Sequence, residues 1–121
     1  RQVWIAGGIG ITPFMSWLRD LDGNPPQQID LYYSTSTPEE MLFAEEIRHA
    51  AEIYPNLRAH LFHTSRDGRL TVEKIIASSG AAAGRDFYLC GPPAMIEAFR
   101  AALLKEGVRG RDIHYEEFNF R

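Results

Sequence analysis

Val3-Trp4-Ile5-Ala6-Gly7-Gly8-Ile9-Gly10-Ile11-Thr12-Pro13 is the stretch that decides the fold. Val3 to Ala6 form an apolar run that reads as a buried strand. Gly7, Gly8 and Gly10 let the backbone turn sharply and approach a ligand with no Cβ in the way. Thr12 is suited to cap the helix that follows. Pro13 is suited to open it, because the first helical position needs no N–H. A glycine turn that feeds a helix N-terminus attracts anions, since unpaired N–H groups and the helix dipole both favour negative charge. Gly7, Gly8, Gly10, Thr12 and Pro13 are therefore read as a site for the pyrophosphate of a dinucleotide. The spacing departs from G-x-G-x-x-G, because Pro13 stands where the third glycine would be. A glycine-rich turn with no ligand is the alternative reading.

The rest of the chain agrees with an α/β fold. Its 121 residues suit one domain around one core. A net charge of −3, with no basic run, argues against a nucleic-acid partner. The single cysteine, Cys90, excludes an internal disulfide and points to a reducing, cytoplasmic setting. No apolar run approaches the length of a membrane span. The chain enters its first strand at Arg1-Gln2 without an initiating methionine, which predicts a domain excised from a longer protein.

Strands are expected at Val3–Ala6, Ile29–Tyr33, Leu57–His63, Asp86–Cys90 and Ile113–Tyr115. Between them, Pro13 begins a helix with Phe14, Trp17, Leu18 and Leu21 on its inner face. Thr37 and Glu40 predict a capping box for a second helix, with Met41, Ala44, Ile47, Arg48 and Ala51 as its stripe. Thr71 is expected to cap a short helix over Val72–Ala77, and Ser78–Gly84 reads as a loop. Pro93 opens a helix with Ile96, Phe99 and Leu103 inward, ending at Gly107. Five strands joined by helical crossovers give a doubly wound five-stranded parallel sheet with helices on both faces.

Ligands of such sheets bind beyond the carboxyl ends of the strands. That rule selects the glycine turn, Ser34–Thr37, Thr64–Arg69 and Cys90-Gly91-Pro92-Pro93. His49, His60, His63 and His114 have no metal-ligand spacing, so no metal site is read. Neither a Gly-x-Ser-x-Gly elbow nor a nucleophilic triad is present.

Gly7-Gly8-x-Gly10-x-Thr12-Pro13, then Cys90-Gly91-Pro92-Pro93 before a helix, then His114-Tyr115-Glu116-Glu117-Phe118 at the tail resembles the ferredoxin–NADP⁺ reductase superfamily, specifically its nicotinamide-binding domain. The likeness covers nearly the whole chain, 1–121, with the motifs in family order. The tail is most similar to that of bacterial ferric-reductase-like proteins, relatives of the NADPH oxidases and of the reductase part of flavohaemoglobins. The resemblance implies that hydride passes from NAD(P)H to FAD, and single electrons then pass to a haem, an iron–sulfur centre or ferric iron. It implies a preceding FAD-binding barrel, absent here, so this piece is expected to lack FAD. A membrane haem domain or an iron–sulfur protein would be the next partner. Cys90 and Gly91, with Pro92, would guide the nicotinamide. Glu116 and Phe118 would shield the flavin, with Phe120 the weaker candidate for that role. Cys90 as an ordinary core cysteine, Phe118 as a packing element and Glu116 as a solvated charge remain the plain alternatives.

Ser34-Thr35-Ser36-Thr37 carries no acid where NAD-specific folds place one for the ribose hydroxyls. Ser65-Arg66, followed by Arg69, is similar to the pair that grips a 2′-phosphate, and arginine is the natural forked phosphate ligand. These residues favour NADPH. Gly68-Arg69-Leu70-Thr71 also resembles the turn of NADH-using members, so NADH stays open. A regulatory or assembly module that binds nucleotide without catalysis is the alternative function. A flavodoxin-like response domain would want acids at the end of the first strand, where Gly7 and Gly8 stand.

Overall fold

The computed structural model describes residues 1–117, so Phe118 and Phe120 lie outside the described residues. Five strands, β1 (Gln2–Gly7), β2 (Ile29–Thr35), β3 (Leu57–His63), β4 (Asp86–Gly91) and β5 (Ile113–Glu117), form one parallel sheet in the order β3-β2-β1-β4-β5. The helices are α1 (Thr12–Arg19), α2 (Ala44–Ile53), α3 (Thr64–Asp67), α4 (Val72–Ser79) and α5 (Pro93–Lys105). From β1 the chain steps outward to β2 and β3, then returns to the other side of β1 for β4 and β5. The order therefore reverses between β1 and β4, which is where doubly wound sheets open a crevice. Register sets the strand ends in one row: Gly7 beside Ser34, Ala6 beside Cys90, and Cys90 beside Glu116.

Side chains alternate across the sheet. On one face, Phe14, Met15 and Leu18 of α1 and Ile47 of α2 cover Trp4, Ala6, Leu31 and Tyr33. On the other, Ile75 of α4 and Ile96, Phe99 and Leu103 of α5 cover Val3, Ile5, Phe87 and Leu89. A fully buried side chain of this kind contributes about 1.5–3 kcal/mol relative to exposure. Among the described residues, no helix covers the β4–β5 half of the first face. Tyr88 and His114 stack there at 4.7 Å, and Trp17 leans edge-on against Tyr88 at 5.5 Å while remaining 42% exposed.

Several local expectations are corrected. Thr12 is not a cap. A 3-10 turn over Gly8–Ile11 runs directly into α1, Ile11 takes the N-cap position, and no side chain caps it. Pro13 still falls in the first turn, where its missing N–H is tolerated. Trp17 lies half outside, and Met15 takes a buried place beside Phe14. Thr37 and Glu40 do pair, Oγ1 to Oε1 at 3.2 Å, but they close a 3-10 turn over Pro38–Glu40. Met41 leaves helical geometry there, and α2 restarts at Ala44 with Arg48 facing solvent. Thr71 caps α4 as expected, its Oγ1 accepting from the Lys74 N–H. α4 extends to Ser79 because that residue is buried in a polar cluster at the strand-start edge.

In that cluster the Asp30 carboxylate, fully buried, accepts from Arg58 Nε at 3.0 Å and meets His60 Nε2 at 3.1 Å. Tyr32 stacks on His60 at 4.2 Å and bonds Ser79 Oγ, and the buried Arg85 donates to the Ser79 carbonyl.

Candidate functional site

The glycines at the end of β1 have different jobs. Gly8 sits at φ +58°, exposed, with open space where a Cβ would point. That is the left-handed region, which glycine occupies without steric cost. Gly10 is buried, and a Cβ there would overlap the carbonyl of Cys90 and lie 3.0 Å from the Gly91 nitrogen. Its missing side chain lets the 3-10 turn press on the end of β4. A side chain at Gly10 would thus meet the backbone of β4 before it met any ligand. Gly7 and Gly91 approach each other across the switch point under Met95, whose thioether a Cβ on either would crowd. The 3-10 turn begins at Gly8, so its opening N–H groups have no earlier turn to bond. No acid lies in the first turn of α1 to compete for its positive end.

Cavities lie on either face of this junction. The first, about 270 Å³, lies between Phe14 and Trp17 on α1 and Tyr88, Cys90, His114 and Glu116 on the uncovered half of the sheet. Its walls are flat and largely aromatic, with Cys90 and Glu116 side by side in the strand register. Burial, and then the negative charge of Glu116, push the Cys90 thiol up to about 11. The thiol is therefore neutral at physiological pH and offers a small polarizable surface rather than a nucleophile. The second cavity, about 330 Å³, opens on the α5 side between Ser34, Arg69, Leu70, Pro92, Met95 and Phe99. Its lining is mostly apolar, with Ser34 and Arg69 as the polar members.

The loop after β3 is more ordered than its sequence suggests. Thr64–Asp67 make a single helical turn, tied to the loop after β2 by the Ser65 N–H donating to the Ser36 carbonyl at 3.2 Å. Arg66 does not face the second cavity as a free cation. Its Nε and Nη2 donate to the two carboxylate oxygens of Asp67 at 2.9 and 2.8 Å. The Arg66 bond, the His63 N–H bond and the Arg66 charge together bring the Asp67 carboxyl down to about 2. Ser34 and Arg69 are thus brought to the second cavity, and Cys90 and Glu116 to the first. Pro13 borders the first cavity and Pro92 the second. Thr12 is exposed at the head of α1, and Ser65 is exposed on α3.

Trp17, Tyr88 and His114 were not picked out by the sequence reading as site residues. Alternation alone would have found two of them, since Tyr88 shares the face of Cys90 and His114 that of Glu116. His63, at the end of β3, keeps a buried Nδ1 without a hydrogen-bond partner among the described residues.

Residues 4–101 match the family described as the oxidoreductase NAD-binding domain. Over 118 residues the chain is 32% identical to the carnitine monooxygenase reductase subunit of Escherichia coli, covering 98% of this chain and 35% of that one. It is 28% identical to a flavohemoprotein of Xylella fastidiosa over 124 residues, covering 96% of this chain and 31% of that one. The flavohem-like FAD/NAD-binding domain of nitric oxide dioxygenase from Vibrio cholerae superposes with a TM-score of 0.78 at 25% identity, covering 97% of this chain and 50% of that one. The chain thus spans about a third of the length of the curated relatives it matches. A five-stranded parallel sheet that reverses at β1 and β4 is the fold this chain brings to those matches, and the chain belongs to the oxidoreductase NAD-binding domain family.

Proposed function

We propose that this chain is the nucleotide-binding half of an FAD-dependent NAD(P)H oxidoreductase. The observation that carries the reading is the pair of cavities on opposite faces of one glycine junction. A dinucleotide is two flat groups joined by a pyrophosphate, and the junction offers places for all three parts. The residues fit the group: Gly8 leaves open space at the turn, and Cys90 and Pro92 bring the end of β4 to the two cavities. Gly8 and the N–H groups of the 3-10 turn would hold the pyrophosphate. Ser34 and Arg69 would meet the adenosine ribose. Trp17, Cys90 and Glu116 would line the nicotinamide side.

The nicotinamide supplies a hydride and the flavin accepts it. The chain's own part is to align the donor ring in a slot poor in water, which needs no charged acid or base close by. A neutral Cys90 thiol suits that task. The uncovered face of β4 and β5, with its stacked Tyr88 and His114, would receive the FAD-binding domain. We place that domain before residue 1 in the parent protein, and the nucleotide domain in the cytoplasm or at the cytoplasmic face of a membrane. The electrons would go on to a haem, an iron–sulfur centre or ferric iron. The tail motif supports a ferric-reductase-like parent, whereas the matched relatives support haem- and oxygenase-linked ones. NADPH is the preferred nucleotide, because Ser34–Thr37 at the end of β2 carries no acid and Arg69 stands at the ribose-side cavity.

Titration of the chain with NADPH and NADH by calorimetry tests the reading. Saturable binding of both, with NADPH tighter and Gly8→Ala weakening both, is the expected result. No binding of either at millimolar nucleotide would overturn it.

A further inference from the structure

We propose that Asp67 sets the discrimination between NADPH and NADH by holding Arg66 away from the ribose-side cavity, so that Arg69 alone meets a 2′-phosphate. The inference rests on the nucleotide reading given above. Arg66 and Arg69 flank one acid, and the geometry decides which arginine that acid takes. Asp67 Oδ1 accepts from Arg66 Nε, and Oδ2 accepts from Arg66 Nη2 and from the His63 N–H at 3.0 Å. The Asp67 carbonyl is held in turn by Lys74 Nζ at 2.9 Å, and the same ammonium bonds the Arg69 carbonyl at 2.6 Å. Gly68, at φ +75°, makes the turn between those carbonyls.

The acid is therefore fixed to backbone on both sides, while Arg66 is a long arm whose side chain is 64% exposed. Of the two, Arg66 is the partner that conforms. Both prongs of its fork are spent on a neighbour one residue away, so they are not presented to a ligand. The loop consequently offers the charge of Arg69 alone rather than that of both arginines. A 2′-phosphate carries close to two negative charges at neutral pH, so the second cation would matter to it and not to a ribose hydroxyl. The Ser65 N–H, donating to the Ser36 carbonyl at 3.2 Å, ties α3 to the loop two residues past Ser34, and Arg69, three residues past Arg66, already borders the cavity.

Substitution and titration of the chain test this. Asp67→Asn keeps an oxygen for the His63 N–H and removes the charge that holds Arg66. It should tighten NADPH about five- to tenfold and leave NADH within about twofold. Arg66→Ala alone should leave NADPH affinity within about twofold, since Arg66 is already engaged. Adding Arg66→Ala to Asp67→Asn should erase the gain. A tenfold loss of NADPH affinity in Arg66→Ala alone would overturn the proposal, as would an equal change for both nucleotides in a folded Asp67→Asn. Arg66→Ala leaves the anchored acid untouched, so its result decides even if Asp67→Asn folds poorly. Wild-type chain that binds neither nucleotide would instead overturn the nucleotide reading, and this proposal with it.

Discussion

At the strand-start edge of the sheet, Asp30, Arg58, His60, Tyr32, Ser79 and Arg85 form a polar cluster in which hydrogen bonds and stacking engage every member. At the strand-end edge, Ser34, Arg69, Cys90 and Glu116 border cavities, and among the described residues none of their own side chains makes a hydrogen bond. Similar residue types thus serve opposite ends. A buried charge must be paired, because an unpaired one costs several kcal/mol, and a group so paired is withdrawn from other partners. Polar groups left over at a crevice are the ones available to a ligand. The glycines divide in the same way: Gly10 is consumed by protein packing and Gly8 faces open space.

The largest expected effect breaks or upholds that division among the glycines. Gly10→Val would drive a branched side chain into the Cys90 carbonyl and should destabilise the chain by about 3 kcal/mol or more. Gly8→Ala should cost only about 1 kcal/mol, the penalty of left-handed backbone for a side chain, while weakening both nucleotides. Denaturant unfolding beside nucleotide titration distinguishes the two. Equal stability losses would erase the contrast drawn here.

The next effect tests the strand-start cluster. Burial alone would raise the Asp30 carboxyl, but hydrogen bonds from His60 and Arg58 and their charges outweigh it and hold the carboxyl below the usual Asp value. An acid with a depressed folded pKa contributes stability above its unfolded pKa, near 4, and loses that contribution as pH falls through the lower folded value. Asp30→Asn should therefore cost about 2–3 kcal/mol at pH 7 and flatten the acid limb of the stability profile. Its nucleotide affinities should stay within about twofold of wild type. A steep acid limb retained in Asp30→Asn would show that other carboxylates govern it.

These contrasts explain what the sequence made legible. The five strands and the segments at their carboxyl ends follow from apolar runs and turn residues, which act over short distances, whereas the strand order came from the structure. Ile96, Phe99 and Leu103 were readable from helical spacing alone. The Asp30 cluster was not readable, because its members come from β2, β3, α4 and the loop that enters β4. Nor was the role of Gly10, since the atom that excludes a Cβ belongs to Cys90, far along the chain. Thr12 and Thr37 carried valid cap signals, but continuous 3-10 turns displaced the helix starts those signals mark. The pairing of Arg66 with Asp67 was not readable beside the Ser65-Arg66 motif, because sequence shows which charges are adjacent and not which of them are paired.

On the ligand edge, Arg69→Ala should weaken NADPH about tenfold and NADH far less, the loss of a charged hydrogen bond to phosphate. The unfolding midpoint should not move, since no side-chain hydrogen bond ties the Arg69 guanidinium to the described residues. A drop in stability would mean that Arg69 belongs with the paired groups, and the division between the edges would need redrawing.

The smallest effect concerns the thiol at the boundary of core and crevice. With its pKa pushed up to about 11 by burial and by Glu116, Cys90 holds a thiolate fraction of only about one in a thousand at pH 8. An unperturbed thiol of pKa near 8.5 would be about one-quarter ionised there. Alkylation by iodoacetamide in the folded chain should therefore be slow and should rise steadily with pH through 9. Glu116→Gln removes the lesser of the two causes and leaves burial in place, so labelling should quicken only on the order of a few-fold. The free-thiol rate in the folded wild type would show that Cys90 is not screened by burial, and would leave it as open as Ser34 and Arg69 rather than at the boundary. A much larger gain in Glu116→Gln would mean that the carboxylate, rather than the packing of Phe14 and Trp17, keeps the thiol neutral.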